Sequence, residues 1–332
     1  MSHRHTTRQT NRLLASVAVI AVVAPLATAC SDASEGAGGN IARVGLVCGG
    51  MTPMAAQVAI NQETFPDDVE VEKYCFDSGA DAVKALVGGS LDIFMGSIEH
   101  VLKTRAQDLP VKAYAGINNR APYALVTAAG SDVQSVADLD GENVGVTSTG
   151  SLSDTELHQA AGEAGVDYDD LKVVDLGSGS SMAGGISQER VAAGMVSDPQ
   201  KSQLVASGDY RLVWEPSTDY AAIVAVANTE WVENNESEMK AFLAGLGEAA
   251  ERTTEDPTFA VEALQEEDFG VDDAVLTDAV SSSTETIPDG LVVTQEVYDE
   301  TTAVLVDAGV VEEGDVLPYD EVFDFDLLES DA

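Results

Sequence analysis

The sequence predicts an α/β protein of two doubly wound lobes followed by a helical C-terminal tail. Three observations carry this expectation. From residue 41 short β-type runs alternate with helical stretches, the alternation comes as two successive series, and after about residue 228 the strand signal stops. The chain has 332 residues, 45% of them apolar, which is enough to bury a large core and opposes disorder. At about 150 residues per domain the length also suits two domains.

The first series opens with a strand over residues 42–48 (ARVGLVC) and a helix over 53–64. A strand at 69–74, a helix at 81–87, the strand 91–95 (LDIFM), a helix from 97 to about 105 and a strand at 111–116 complete one small lobe. The second series begins after a strand-like stretch at 123–127. It places strands at 144–147, 172–176 and 195–197, with a helix at 154–164. Residues 221–228 (AAIVAVAN) form a fully apolar run of strand length, and helices follow at 236–252, 257–266, 272–282 and 294–308. The lobes echo each other: residues 85–97 and 186–198 both read as a short helix turning into a strand that ends on small and polar residues.

Charge narrows the function. Lys and Arg number 16 against 58 Asp and Glu, a formal net charge of −42. Phosphate backbones and anionic lipid surfaces attract cations, so this balance opposes nucleic-acid or acidic-membrane binding through charge. It keeps the surface soluble through self-repulsion and suits a saline or secreted setting. Residues 1–29 hold Arg4, Arg8 and Arg12 and no acidic residue, so the body beyond them carries a formal −45.

That leader reads as a signal peptide, with a basic start, the apolar run 13–24 (LLASVAVIAVVA), Pro25, and the small residues Ala27, Thr28 and Ala29. Broken by Pro25, it falls short of the ~20 apolar residues that span a bilayer. Residues 26–30 (LATAC) resemble the lipobox of bacterial lipoproteins, which implies that Cys30 is acylated and becomes the first residue of the mature chain. Residues 31–40 (SDASEGAGGN) have the composition of a flexible tether, so residues 30–40 are expected to act as lipid anchor and spacer.

Four segments, 77–92 (DSGADAVKALVGGSLD), 135–154 (SVADLDGENVGVTSTGSLSD), 194–199 (GMVSDP) and 320–326 (DEVFDFD), carry a resemblance that covers the body of the chain. In them the chain resembles the extracytoplasmic substrate-binding proteins of ABC importers, in the branch of nitrate, sulfonate, taurine and thiamine-precursor binders. The resemblance implies a periplasmic-binding-protein-like fold of type II, with crossovers near 121–127 and 220–228. Lobe 1 would comprise 41–124 and 226–332, and lobe 2 residues 125–225. It also implies a membrane-anchored monomer that passes a small-molecule solute to an ABC permease and its ATPase, with no cofactor and no metal.

Ligands of open α/β sheets sit beyond the carboxyl ends of the strands, where helix amino termini offer free N–H groups. Candidate ligand-binding residues there are Thr52 (49–53, GGMTP), Ser97 (96–100, GSIEH), Ser148, Ser151, Ser153 and Asp154 (147–154, TSTGSLSD), and Ser181 (177–182, GSGSSM). Arg120 (118–120, NNR) is the arginine expected to reach the cleft as a charge partner. Ser153 or Asp154 is expected to cap the following helix. Gly184 and Gly185 oppose a firm helix after residue 182.

Enzymatic signals are sparse. Beyond the leader only His100 and His158 remain, and no G-x-S-x-G, H-E-x-x-H or Walker loop occurs. Residues 138–141 (DLDG) lack the further ligands of a calcium loop and read as a short helix leading to a strand. Two rival functions remain, an enzyme of this fold related to thiamine-pyrimidine synthesis and a ligand sensor for a membrane signalling partner. With Cys30 acylated, Cys48 and Cys75 are left as an even pair at the ends of neighbouring strands in an oxidising compartment, and a disulfide between them is expected.

Overall fold

The computed structural model describes residues 41–328; the leader, Cys30 and the tether lie outside the described residues. In chain order the first lobe provides strands β1 (Ile41–Val47), β2 (Glu70–Phe76), β3 (Ile93–Gly96) and β4 (Val111–Arg120), with helices α1 (Met54–Asn61), α2 (Gly79–Val87) and α3 (Ile98–Arg105) between them. The second lobe provides β5 (Ala124–Ala128), β6 (Asn143–Val146), β7 (Lys172–Asp175), β8 (Ala193–Val196) and β9 (Tyr210–Trp214), with α4 (Leu152–Ala164), α5 (Ser180–Ser187) and α6 (Gln200–Ser207). Strand β10 (Asp219–Asn228) returns to the first lobe. Helices α7 (Thr229–Asn234), α8 (Glu236–Glu255), α9 (Pro257–Leu264), α10 (Asp273–Ser283), α11 (Gln295–Asp307) and α12 (Tyr319–Val322) then complete the chain.

Two five-stranded sheets result, in the orders β2-β1-β3-β10-β4 and β7-β6-β8-β5-β9. In each, three parallel strands meet one antiparallel strand from the other side of the crossover: β10 against β3 in the first sheet, β5 against β8 in the second. The mixed α/β architecture of two lobes with a helical tail is thus the one expected. The crossover positions are corrected. Asp219 is already paired with Arg120, and the antiparallel pairing runs, through three register shifts, as far as Asn228 opposite Val111, so the apolar run 220–228 is a strand of the first sheet. The connections between the sheets are residues 121–123 and 215–218, and residues 219–225 belong with the first lobe rather than the second.

Local chemistry explains most element ends. Ser78 caps α2 by accepting the Asp81 N–H at 3.2 Å, Asp256 caps α9 ahead of Pro257, and Gly165 closes α4 in the left-handed region at φ 69°. Helix α5 forms despite its glycine pair because glycine is what lets it lie close to its sheet. A Cβ on Gly185 would stand 2.5 Å from Leu176 Cδ1, and one on Gly194 2.8 Å from Met182 Sδ. Packing overrides propensity there. Helix α6 and strand β9 carried no sequence signal strong enough to read, since α6 buries only Gln200.

The lobes are stapled internally. In the first, Asp92 takes the Arg43 N–H at 2.9 Å and its guanidinium at 2.9 and 2.6 Å, tying β1 to the start of β3. Cys48 and Cys75 are joined as a disulfide with Cα atoms 5.3 Å apart. The tail covers the first lobe, with α8 and α9 against α1, while α11 runs along β10 and reaches α4 of the second lobe. Among the described residues no helix is long and apolar enough to cross a membrane.

Candidate functional site

The carboxyl ends of β1 and β3 face those of β6 and β8 across the gap between the lobes, and the loops there touch. Met51 donates its N–H to the Asp198 carbonyl at 3.0 Å, the Ser178 hydroxyl donates to the Cys48 carbonyl at 2.6 Å, and Ala80 donates its N–H to Ser151 Oγ at 3.2 Å. Glycine permits this approach: a Cβ on Gly179 would lie 2.5 Å from the Gly49 carbonyl oxygen. The arrangement is a closed cleft holding two neighbouring chambers, with Thr52 in the wall of both.

The inner chamber, about 20 Å³, has room for a water-sized group. Its wall takes in Gly79, Ser97, Thr147 and Ser151, so the amino termini of α2, α3 and α4 converge on it, with hydroxyls and no carboxylate among the lining side chains. That is a setting for a negatively charged or strongly accepting group. His100 also lines it. The Ser97 hydroxyl and His100 Nδ1 are 2.8 Å apart, while Nε2 is buried without a partner. Burial lowers the imidazole's pKa, so His100 is neutral at physiological pH.

The outer chamber, about 400 Å³, lies at the crossovers and is charged. Its wall contains Asn118, Arg120, Asp198, Lys201 and Glu215, with Ser282 and Thr286 from the tail. Lys201 bridges Asp198 at 3.0 Å and Glu215 at 2.8 Å. Burial works against the ammonium, but the two carboxylates outweigh it and its pKa is raised. Arg120 differs: its backbone N–H donates to Asn118 Oδ1 at 2.8 Å, and its guanidinium takes part in none of the ion pairs among the described residues.

The structure therefore brings Thr52, Ser97, Ser151 and Arg120 to the cleft, and Ser148 beside them, its Oγ 3.3 Å from Ser151 Oγ. Three expectations are corrected. Asp154 is held inside the second lobe, accepting the Gly150 N–H at 2.7 Å and the Tyr168 hydroxyl, and it lines neither chamber. Ser153 is buried against Thr147, taking its N–H at 2.9 Å; the residue at the N-cap position of α4 is Ser151, whose side chain makes no capping hydrogen bond. Ser181 is exposed and lines neither chamber, and Ser178, three residues earlier, is the hydroxyl of that loop that reaches the other lobe. Sequence reasoning missed Lys201 and Glu215, which sit in or next to the two unread elements, and the Ser282 and Thr286 contribution of the tail. Among the described residues no group of three or more His, Cys, Asp or Glu could hold a metal ion.

Two doubly wound lobes, joined by two crossovers and closing on a polar cleft, define the class of periplasmic-binding-protein folds. Residues 67–260, more than half of the chain, match the family described as NMT1/THI5 like, and the chain belongs to that family. No curated protein matches it in sequence. Three solved structures show the same fold. A protein of Bordetella bronchiseptica RB50 aligns with TM-score 0.76 at 20% identity, over 87% of this chain and 96% of that one. The alkanesulfonate-binding protein SsuA of Xanthomonas axonopodis pv. citri bound to MOPS gives 0.70 at 17% identity, over 85% and 98%. The periplasmic nitrate-binding protein NrtA of Synechocystis PCC 6803 gives 0.67 at 16% identity, over 87% of each.

Proposed function

We propose that this protein is the extracytoplasmic solute-binding component of an ABC importer, and that it delivers a small organic solute, a sulfonate-like zwitterion or a heterocyclic vitamin precursor, to a permease. The observation that carries the reading is the unpaired Arg120 guanidinium on the wall of an interlobe cavity in a chain with 58 acidic residues. In so acidic a protein an arginine left without a carboxylate beside a cleft is placed to meet an acid from outside. The body's charge repels free anions at long range, and a zwitterion with no net charge escapes that penalty while keeping an anionic group for Arg120. The alkanesulfonate-binding and nitrate-binding fold relatives support an oxoanion, and the hydroxyls and helix amino termini of the inner chamber suit one once the lobes part. A non-catalytic role is supported by the histidines: the His100 ring is tied to the Ser97 hydroxyl at the start of α3, and His158 is stacked on Tyr168 with ring centroids 3.3 Å apart.

A thermal-shift panel tests this reading. Zwitterionic sulfonates such as MOPS, simple alkanesulfonates, nitrate and pyrimidines are compared, and a solute at 100 times its Kd should add about 2.7 kcal/mol of stability. Arg120→Ala should weaken a sulfonate by about 1.5–3 kcal/mol, which is roughly 10- to 150-fold in Kd by calorimetry. Unchanged sulfonate affinity in that variant would remove Arg120 from the site, and a pyrimidine hit insensitive to it would favour the heterocycle.

The same reading includes anchoring at Cys30 on the outer face of the cytoplasmic membrane, supported by the leader, the small residues before the cysteine and the tether after it. Intact mass of protein extracted from membranes should correspond to a diacylated chain beginning at Cys30. A chain retaining residues 1–29, or one starting elsewhere without lipid, refutes the anchor.

A further inference from the structure

Where the two lobes meet, a pair of carboxyl groups from opposite sides is buried. Glu99, in the first turn of α3, and Glu156, on α4, are 0% and 1% exposed. Glu99 Oε1 accepts from the Thr155 hydroxyl of the second lobe at 3.3 Å and its Oε2 from the Tyr220 hydroxyl at 3.4 Å. Glu156 Oε2 accepts the N–H of Tyr123, in the first crossover, at 2.8 Å, and its Oε1 is buried with no partner.

The surroundings do not neutralise the pair. Titratable groups facing it are His100 on α3, Tyr123 in the crossover and Tyr220 on β10; the cation whose field reaches Glu156 is Lys201 of α6, already held by Asp198 and Glu215. Helix α11, packed on β10, contributes the neutral Thr301, which accepts the Ala221 N–H. Two carboxylates cannot both remain ionised in a dry site without a counter-charge. Burial, reinforced by Glu99, pushes the Glu156 carboxyl well above its usual range.

We propose that Glu156 takes up a proton from solvent when the lobes close, so that closure over the solute is coupled to pH and weakens as pH rises. The inference rests on the lobes opening and closing as a solute-binding protein requires. Parting them separates Glu99 from Thr155, admits water to both carboxyls and lets Glu156 ionise. The sign follows: the closed form binds the extra proton, so in the window between the ordinary carboxyl value and the raised one, each rise in pH favours the open form. His100 acts oppositely, since its burial favours the neutral ring, but above about pH 7 an imidazole is neutral in either arrangement and drops out.

The test needs no solute. Small-angle scattering of the full mature chain at pH 7, 8 and 9, where His100 no longer titrates, should show the radius of gyration of the wild type increasing with pH. Glu156→Gln keeps an oxygen for the Tyr123 N–H and cannot ionise, so it should stay compact throughout, and Glu99→Gln should blunt the change. The melting temperature of Glu156→Gln should also gain on the wild type as pH rises above the ordinary carboxyl range. A wild type whose dimensions are constant with pH, or a Glu156→Gln chain that expands as the wild type does, overturns the coupling. A solute that still compacts and stabilises the chain in that case leaves the solute-binding reading intact.

Discussion

Replacing Cys48 and Cys75 together by serine is expected to cost about 3.5 kcal/mol of stability, the chain-entropy value for closing a loop across a sequence separation of 27. For a body of this size that is a fall of about 6 °C in Tm. The bridge links the residue after β1 to the matching end of β2, where Cys75 lies opposite Leu46, and the Cys48 N–H donates to the Phe76 carbonyl at 3.2 Å. It therefore pins the loop that carries Gly49, Gly50 and Thr52 to the sheet, and through the Cys48 carbonyl it sets where Ser178 of the other lobe can dock. Denaturant titration of the oxidised wild type against the double variant measures the loss. Alkylation of denatured, unreduced protein followed by mass spectrometry should find neither cysteine modified; two modified thiols would rule the bridge out and remove the stability argument with it.

What could be read from the chain depended on whether the deciding interaction was local. Strand runs such as 42–48 and helices such as 294–308 announce themselves by apolar pattern, and the structure has them within a residue or two as β1 and α11. The run 221–228 was legible as a strand but not as a member of the first sheet, because an all-apolar strand packs equally well in either lobe and only its pairing with β3 and β4 decides. In the cleft, Thr52, Ser97 and Ser151 were legible because strand ends and helix caps are set by near neighbours. Asp154 misled because the Tyr168 hydroxyl that occupies it arrives from fourteen residues further on. Glu99 stands inside a segment that sequence reading placed at the cleft, yet nothing in that segment tells of Glu156, which meets it only once two lobes have folded and closed. The same holds for Lys201, whose partners come from the two ends of its own unread neighbourhood.

Gly179→Ala should leave each lobe folded and keep the two apart. Gly179 sits at φ 57° and ψ −128°, a conformation open essentially to glycine alone, so alanine strains the turn into α5 by about 1–3 kcal/mol. The larger effect lies across the cleft. The new Cβ would come within 2.5 Å of the Gly49 carbonyl oxygen and 3.2 Å of its carbon, and both sides of that contact are backbone, so no side chain can rotate away. Relief requires the lips to separate, which breaks the Ser178 to Cys48 hydrogen bond and loosens the Met51 to Asp198 bond beside it. Solute affinity should then fall at least 100-fold, because the binding-competent closed form is no longer populated. Hydrogen exchange reads this without a ligand: the amides of Met51 and Ala80, protected in the wild type by bonds to the other lobe, should exchange as exposed amides do, while those inside β1 and α4 keep their protection. Gly208→Ala, at φ 76° on a helix end where a Cβ meets nothing within 4 Å, controls for backbone strain alone and should leave Met51 protected. Unaltered exchange at Met51 and Ala80 in Gly179→Ala would mean that the Gly49–Gly179 approach does not govern closure.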